Sequence, residues 1–123
     1  MCEPPNLDPE ALQRLQRLGG DAFVCKMIDL FLDYAGKRLA EARAAHTARD
    51  LPGVARAVHP LKSSAGNVGA CQVQALAARI EELAGRGQGE ALVTSLRELE
   101  QAFAAVKPEL EETKRGLVVP PAK

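Results

Sequence analysis

Tryptophan is missing from the 123 residues, and the other aromatics are scarce, with one tyrosine and three phenylalanines. That is too few for a surface on which nucleobases could stack. Neither sign of charge is in excess, because sixteen basic residues face sixteen acidic ones. Such a chain exerts no general electrostatic pull on nucleic acid, which is therefore not an expected partner. No apolar run approaches the ~20 residues of a membrane span, and the N-terminus lacks the basic and apolar regions of a signal peptide. Membrane insertion is not expected, and the expected compartment is the cytoplasm. Cys2, Cys25 and Cys71 lie far apart, without a closed disulfide set or a paired metal-ligand spacing, and read as reduced thiols. Cys25 and Cys71 sit in apolar helical surroundings that suit small packing residues. His46 and His59 are too far apart for an i, i+4 ligand pair, so no metal site is expected. There is no P-loop, no strand pattern and no internal repeat.

What the chain does have is helical periodicity, in a length sufficient for one soluble domain with its own core. Residues 1–7 form a lead-in. Asp8 before Pro9 is an N-cap followed by the residue best tolerated at the first helical position, and Leu7 can close over Leu12 as a hydrophobic staple. A short first helix with Leu12, Leu15 and Leu18 on one edge should end at Gly19-Gly20. Asp21 can cap a second helix to about Arg49, with Val24, Ile28, Phe31, Ala35, Leu39 and Ala42 as its stripe. Phe23, Met27, Leu30 and Tyr34 widen that stripe in its first half, where the first helix could pack. Gly36 interrupts the segment at about 1 kcal/mol relative to alanine without overturning it.

Asp50 can cap a third helix. Pro60 should kink it locally, since it cannot donate to the Arg56 carbonyl and crowds that turn. Gly69 turns the chain into a fourth helix faced by Val73, Leu76, Ala77, Ile80, Leu83 and Ala84. The glycine-rich run 85–89 connects to a fifth from about Glu90, with Leu92, Leu96, Leu99, Phe103, Val106 and Leu110 as a bundle seam. Pro108 should kink or end it, and residues 116–123 read as a loose tail. The expected fold is all-α: an antiparallel up-and-down four-helix bundle with an additional short N-terminal helix, as a single domain over residues 8–115.

The third helix carries the stretch on which function turns. At about 100° per residue, Val54, Ala57, Val58, Leu61, Ala65 and Val68 gather on one side, and His59 points the opposite way. Its neighbours there are Pro52, Ala55, Arg56, Lys62, Ser63 and Gly66, two cations among small residues. These residues resemble the motif of the histidine-containing phosphotransfer (HPt) domains of multistep two-component phosphorelays, supplying His59, Leu61, Lys62, Ser64, Ala65, Val68, Gly69 and Ala70 in register. Ser63 stands where the family usually has glycine and still keeps the platform low.

A neutral imidazole nitrogen can attack activated phosphorus, and an unperturbed histidine is largely neutral at cytoplasmic pH. Lys62, one turn on, can pair with phosphoryl oxygens as charge builds on them. Arg56, one turn before, is a second candidate, although the family motif assigns it no such role. Ser63 is placed to donate a hydrogen bond, whereas Ser64 lies toward the buried side and should bond the preceding turn. Ala55, Arg56, Ser63 and Gly66 form the supporting or partner-docking surface, and Gly69 is a structural turn. His46 reads as a bundle-edge residue suited to a helix C-terminus.

The resemblance implies that His59 accepts a phosphoryl group from a receiver-domain phospho-aspartate and passes it to another receiver. The expected partners are receiver domains and a hybrid histidine kinase. No cofactor of its own is expected, magnesium belonging to the receiver. The chain is expected to be a monomeric carrier without ATP-dependent kinase activity. Because it begins with methionine and ends in a loose stretch, a free-standing shuttle is favoured over a fragment of a hybrid kinase. The alternative is a docking or regulatory module for a receiver or kinase that uses the same face without carrying phosphate. A phosphohistidine-dependent phosphatase would need a second acid or base near His59, and the helical wheel shows none.

Overall fold

Caps, glycines and apolar stripes divide the chain into four helices. The computed structural model describes residues 7–117, so the lead-in before Leu7 and the tail beyond Leu117 lie outside the described residues. The helices are α1 (Pro9–Thr47), α2 (Leu51–Asn67), α3 (Cys71–Gly85) and α4 (Gly89–Arg115). In an antiparallel cycle, α1 packs on α2, α2 on α3, α3 on α4 and α4 back on α1.

The Asp8 carboxylate accepts from the Glu10 N–H at 3.0 Å, with Pro9 in the first turn. At Gly20 the backbone leaves helical geometry (φ 78°, ψ −171°), a conformation open almost only to glycine. The N-terminal arm of α1, residues 9–19, is thus the expected short helix, joined to the long arm through this break. Asp8 N–H donates to the Gly69 carbonyl at 2.8 Å, and Ala11 and Leu15 are buried, which lays the arm across the α2–α3 turn. The arm meets the widened stripe at Phe23, beside Gly19, but does not cover Leu30, which remains 54% exposed. Met27, Leu30, Phe31 and Tyr34 instead line an open groove of about 260 Å³ with Ser64 and Val68 of α2.

All six stripe positions of the long arm are buried, as are Val54, Ala57, Val58, Leu61, Ala65 and Val68 on the α2 side. The Asp50 carboxylate caps α2 through the Gly53 N–H at 2.9 Å, and the helix runs as one element through Pro60. In α4 the seam holds except at Phe103, which is half-buried and meets Phe31 edge-to-face at 6.0 Å while Ala102 takes the inner position. Pro108 does not end α4, which continues to Arg115. Pro108 and Ala104, whose carbonyl loses its partner, both face solvent, while Leu110, two residues beyond the proline, is fully buried. Water can satisfy the freed carbonyl, and burial of Leu110, worth about 2–3 kcal/mol, carries the helix onward. Arg43 pairs with Glu100, with Nε at 3.1 Å from Oε2, and Lys114 pairs with Asp29, so charge also ties α4 to α1.

The start of the expected loose tail is ordered: Gly116 N–H donates to Glu112 O at 3.2 Å, and Leu117 packs against the core. Of the thiols expected to be reduced, Cys25 is free and half-buried, whereas Cys71 is disulfide-bonded.

Candidate functional site

With the apolar face of α2 sealed in the core, its opposite face must meet water. The His59 side chain is 64% exposed, and Val58 and Leu61 beside it are fully buried. The imidazole therefore stands on a helix whose underside is locked by packing, and no wall encloses it.

The α2–α3 turn decides what reaches it. Gly69 has φ +78°, and a Cβ there would lie 2.5 Å from the Asp8 carbonyl oxygen, so both the turn and the close approach of the arm require glycine. From this turn the two helices run back along each other in fixed register. Gly66 and Gln74 lie four residues either side of Ala70, and His59 and Glu81 lie eleven either side. Both pairs meet. Gln74 donates to the Lys62 carbonyl at 3.0 Å while lying over Gly66, where a Cβ would come within 2.5 Å of its Nε2.

Glu81 is the residue that the helical wheel of α2 could not reveal, because it comes from α3. One carboxylate oxygen lies 2.6 Å from His59 Nδ1 and the other 2.5 Å from Lys62 Nζ. The carboxylate is 29% exposed and the Lys62 side chain 35% exposed. The hydrogen bond from Lys62 pushes the Glu81 carboxyl below its ordinary value, burial opposes this, and the bond from His59 adds to it. An ionised carboxylate only accepts, so Nδ1 must carry the hydrogen and the lone pair is left on Nε2. The outward nitrogen is the nucleophilic one. Glu81 also supplies the second titratable group that the wheel lacked, but it engages the far ring nitrogen.

The other candidates separate. Arg56 turns away, its guanidinium 3.7 Å from Asp50 at the start of the helix. Ala55 is half-buried and packs against the core. Ser63 is exposed as expected. The expected bond from Ser64 to the preceding turn is not made, since its hydroxyl is buried beside the α1 groove without a partner. Gly66 is helical but roofed by Gln74. His46 lies in the last turn of α1 beside Leu51 and Glu90, at the bundle's other end.

The site can be set against known proteins. The family model of the Hpt domain matches residues 26–109. The fold is similar to histidine-containing phosphotransfer protein B (HptB) from Pseudomonas aeruginosa PAO1. The TM-score is 0.86 at 25% identity, over 92% of this chain and 97% of that one. It is also similar to a putative histidine-containing phosphotransfer protein from rice, with a TM-score of 0.79 at 23% identity, over 89% of this chain and 80% of that one. No curated protein sequence matches.

Proposed function

The chain belongs to the Hpt domain family, and from that premise we propose that His59 is its phosphoacceptor. As a member it is a phosphorelay intermediate, a phosphocarrier that works with receiver domains and histidine kinases. In our reading, Nε2 of His59 takes the phosphoryl group from a receiver phospho-aspartate and gives it to a second receiver. Lys62 pairs with the phosphoryl oxygens as charge gathers on them. A hybrid histidine kinase stands upstream. The receiver brings the magnesium ion; this chain needs no cofactor and phosphorylates nothing from ATP.

One observation carries the reading: His59 stands exposed at mid-helix with Nδ1 held by Glu81, which turns a free Nε2 lone pair toward an incoming partner. The bundle beneath holds the ring without enclosing it, so a receiver can approach over Ser63. The groove with exposed Leu30 offers that partner an apolar ledge on the α1 side. No described helix is long and apolar enough to cross a membrane. We place the protein in the cytoplasm as a monomer.

The test is incubation with a panel of phosphorylated receiver domains, followed by mapping of the acquired label. Wild type should be labelled at His59, and His59→Gln should take no label while melting within about 2 °C of wild type, because an exposed side chain contributes little to packing. Label that persists elsewhere in the variant refutes the assignment. Stable receiver binding without any transfer would favour the docking-module alternative.

A further inference from the structure

The contact between His59 and Glu81 places a proton as well as a ring. When Nε2 bonds to phosphorus, the acyl-phosphate O–P bond breaks and the aspartate carboxylate leaves with the electron pair. The ring, still carrying hydrogen on Nδ1, becomes a phosphorylated imidazolium cation, and no proton moves. On the onward step an aspartate carboxylate oxygen of the second receiver bonds to phosphorus, the Nε2–P bond breaks and its electron pair goes back to Nε2. If Nδ1 has kept its hydrogen, the leaving group is neutral imidazole. If it has lost it, the leaving group is an imidazolate anion, a far poorer one.

We propose that Glu81 is the positioning residue for the donor half of the relay, its carboxylate keeping Nδ1 of phospho-His59 protonated so that the phosphoryl group leaves from a neutral ring. This rests on His59 being the phosphoacceptor. Before phosphorylation the carboxylate is already set against Nδ1, with Lys62 holding its other oxygen. The two charges also reorganise together. Once a phosphoryl group is present, the Lys62 ammonium has oxygens of its own to pair with, and Glu81 is left facing the imidazolium cation with less of its charge compensated. Among the charged residues of the packed helices, Arg56 on α2 pairs with Asp50, Glu82 on α3 with Arg86, and on α1 Lys37 with Asp33 and Arg38 with Glu41.

The experiment needs no partner at first. The chain, in a His46→Gln background so that one histidine reports, is phosphorylated with phosphoramidate, and phospho-His59 is titrated by phosphorus and proton NMR. Glu81→Gln keeps a carbonyl acceptor and loses the charge. Its phosphorylated ring should titrate about one pH unit below the parent. Glu81→Asp should recover part of the difference. Chasing each phosphoprotein with an unphosphorylated receiver should show a variant-to-parent rate ratio that falls by about tenfold in all as pH rises through the two titration midpoints, then levels off once both rings have lost their protons. The ratio cancels the receiver's own pH dependence. Equal titration midpoints, or a ratio flat with pH, overturn the proposal. If the midpoints differ and no receiver accepts the group, the role of Glu81 in the donor step falls, because the relay reading itself has failed while the proton placement stands.

Discussion

Gly69 gives the sharpest stability prediction. It combines a left-handed backbone with a contact that leaves no room for a methyl group. Placing alanine at φ +78° costs about 1–2 kcal/mol in backbone strain alone. The new Cβ would then lie 2.5 Å from the Asp8 carbonyl oxygen and 3.1 Å from its nitrogen, and both are backbone atoms that cannot rotate aside. The arm must move, and the 2.8 Å bond from Asp8 N–H to the Gly69 carbonyl goes with it, at about 0.5–1.5 kcal/mol. Gly69→Ala should therefore lose about 2–4 kcal/mol, which for a chain of this size lowers Tm by roughly 10 °C. Thermal unfolding by circular dichroism measures it. Gly36→Ala is the control, since Gly36 is helical with open space around its missing Cβ, and alanine there should gain up to about 1 kcal/mol. A Gly69→Ala protein melting within about 2 °C of wild type would refute the account of the turn.

Three further predictions concern the site. Lys62→Ala should slow transfer roughly tenfold with Tm nearly unchanged; a partly exposed ammonium contributes less than the ~10²–10³ of an enclosed donor, and an unchanged single-turnover rate would remove Lys62 from the mechanism. Gly66→Arg should gain about 1 kcal/mol of helix propensity and lose the bond from Gln74 to the Lys62 carbonyl, so Tm should barely move while transfer slows; undiminished transfer would rule out close docking there. The Glu81 carboxyl sits below its ordinary 4.5, so its contribution to stability is complete above that value and is lost as pH falls through the folded-state pKa. Urea melts should show the gap between wild type and Glu81→Gln shrinking below pH 4.5, and a gap that widens on acidification contradicts the assigned contacts.

The helices were legible because their signals are local. Asp8-Pro9, Asp50 and Gly69 mark boundaries through backbone chemistry within a few residues, and the buried stripes follow from the 3.6-residue period. Exposure of His59 followed from the same period. What escaped depends on contacts between helices. Glu81 is one of two adjacent acids on α3, beside Glu82, and only the hairpin register singles it out. Arg56 shares the His59 face on the wheel, yet its long side chain reaches Asp50 in the direction of the helix N-terminus. Ala55 lies on that face too but packs against the core, a contact no single-helix projection contains. Pro108 carries a local stop signal that burial of Leu110 outweighs.

The shared register of α2 and α3 restricts how this chain can vary in length. Adding one residue to α3 between the turn and Glu81 would swing the carboxylate about 100° around the helix and 1.5 Å along it. Four added residues would bring it back to within about 40° of its face but displace it by about 6 Å, beyond reach of the imidazole. Neither change can be absorbed at Gly69, which the arm of α1 holds from the other side. Insertions and deletions compatible with the site are confined to the connections at the other end of the bundle, around Arg49 and Gly87, where added chain leaves the spacing from His59 to Glu81 untouched.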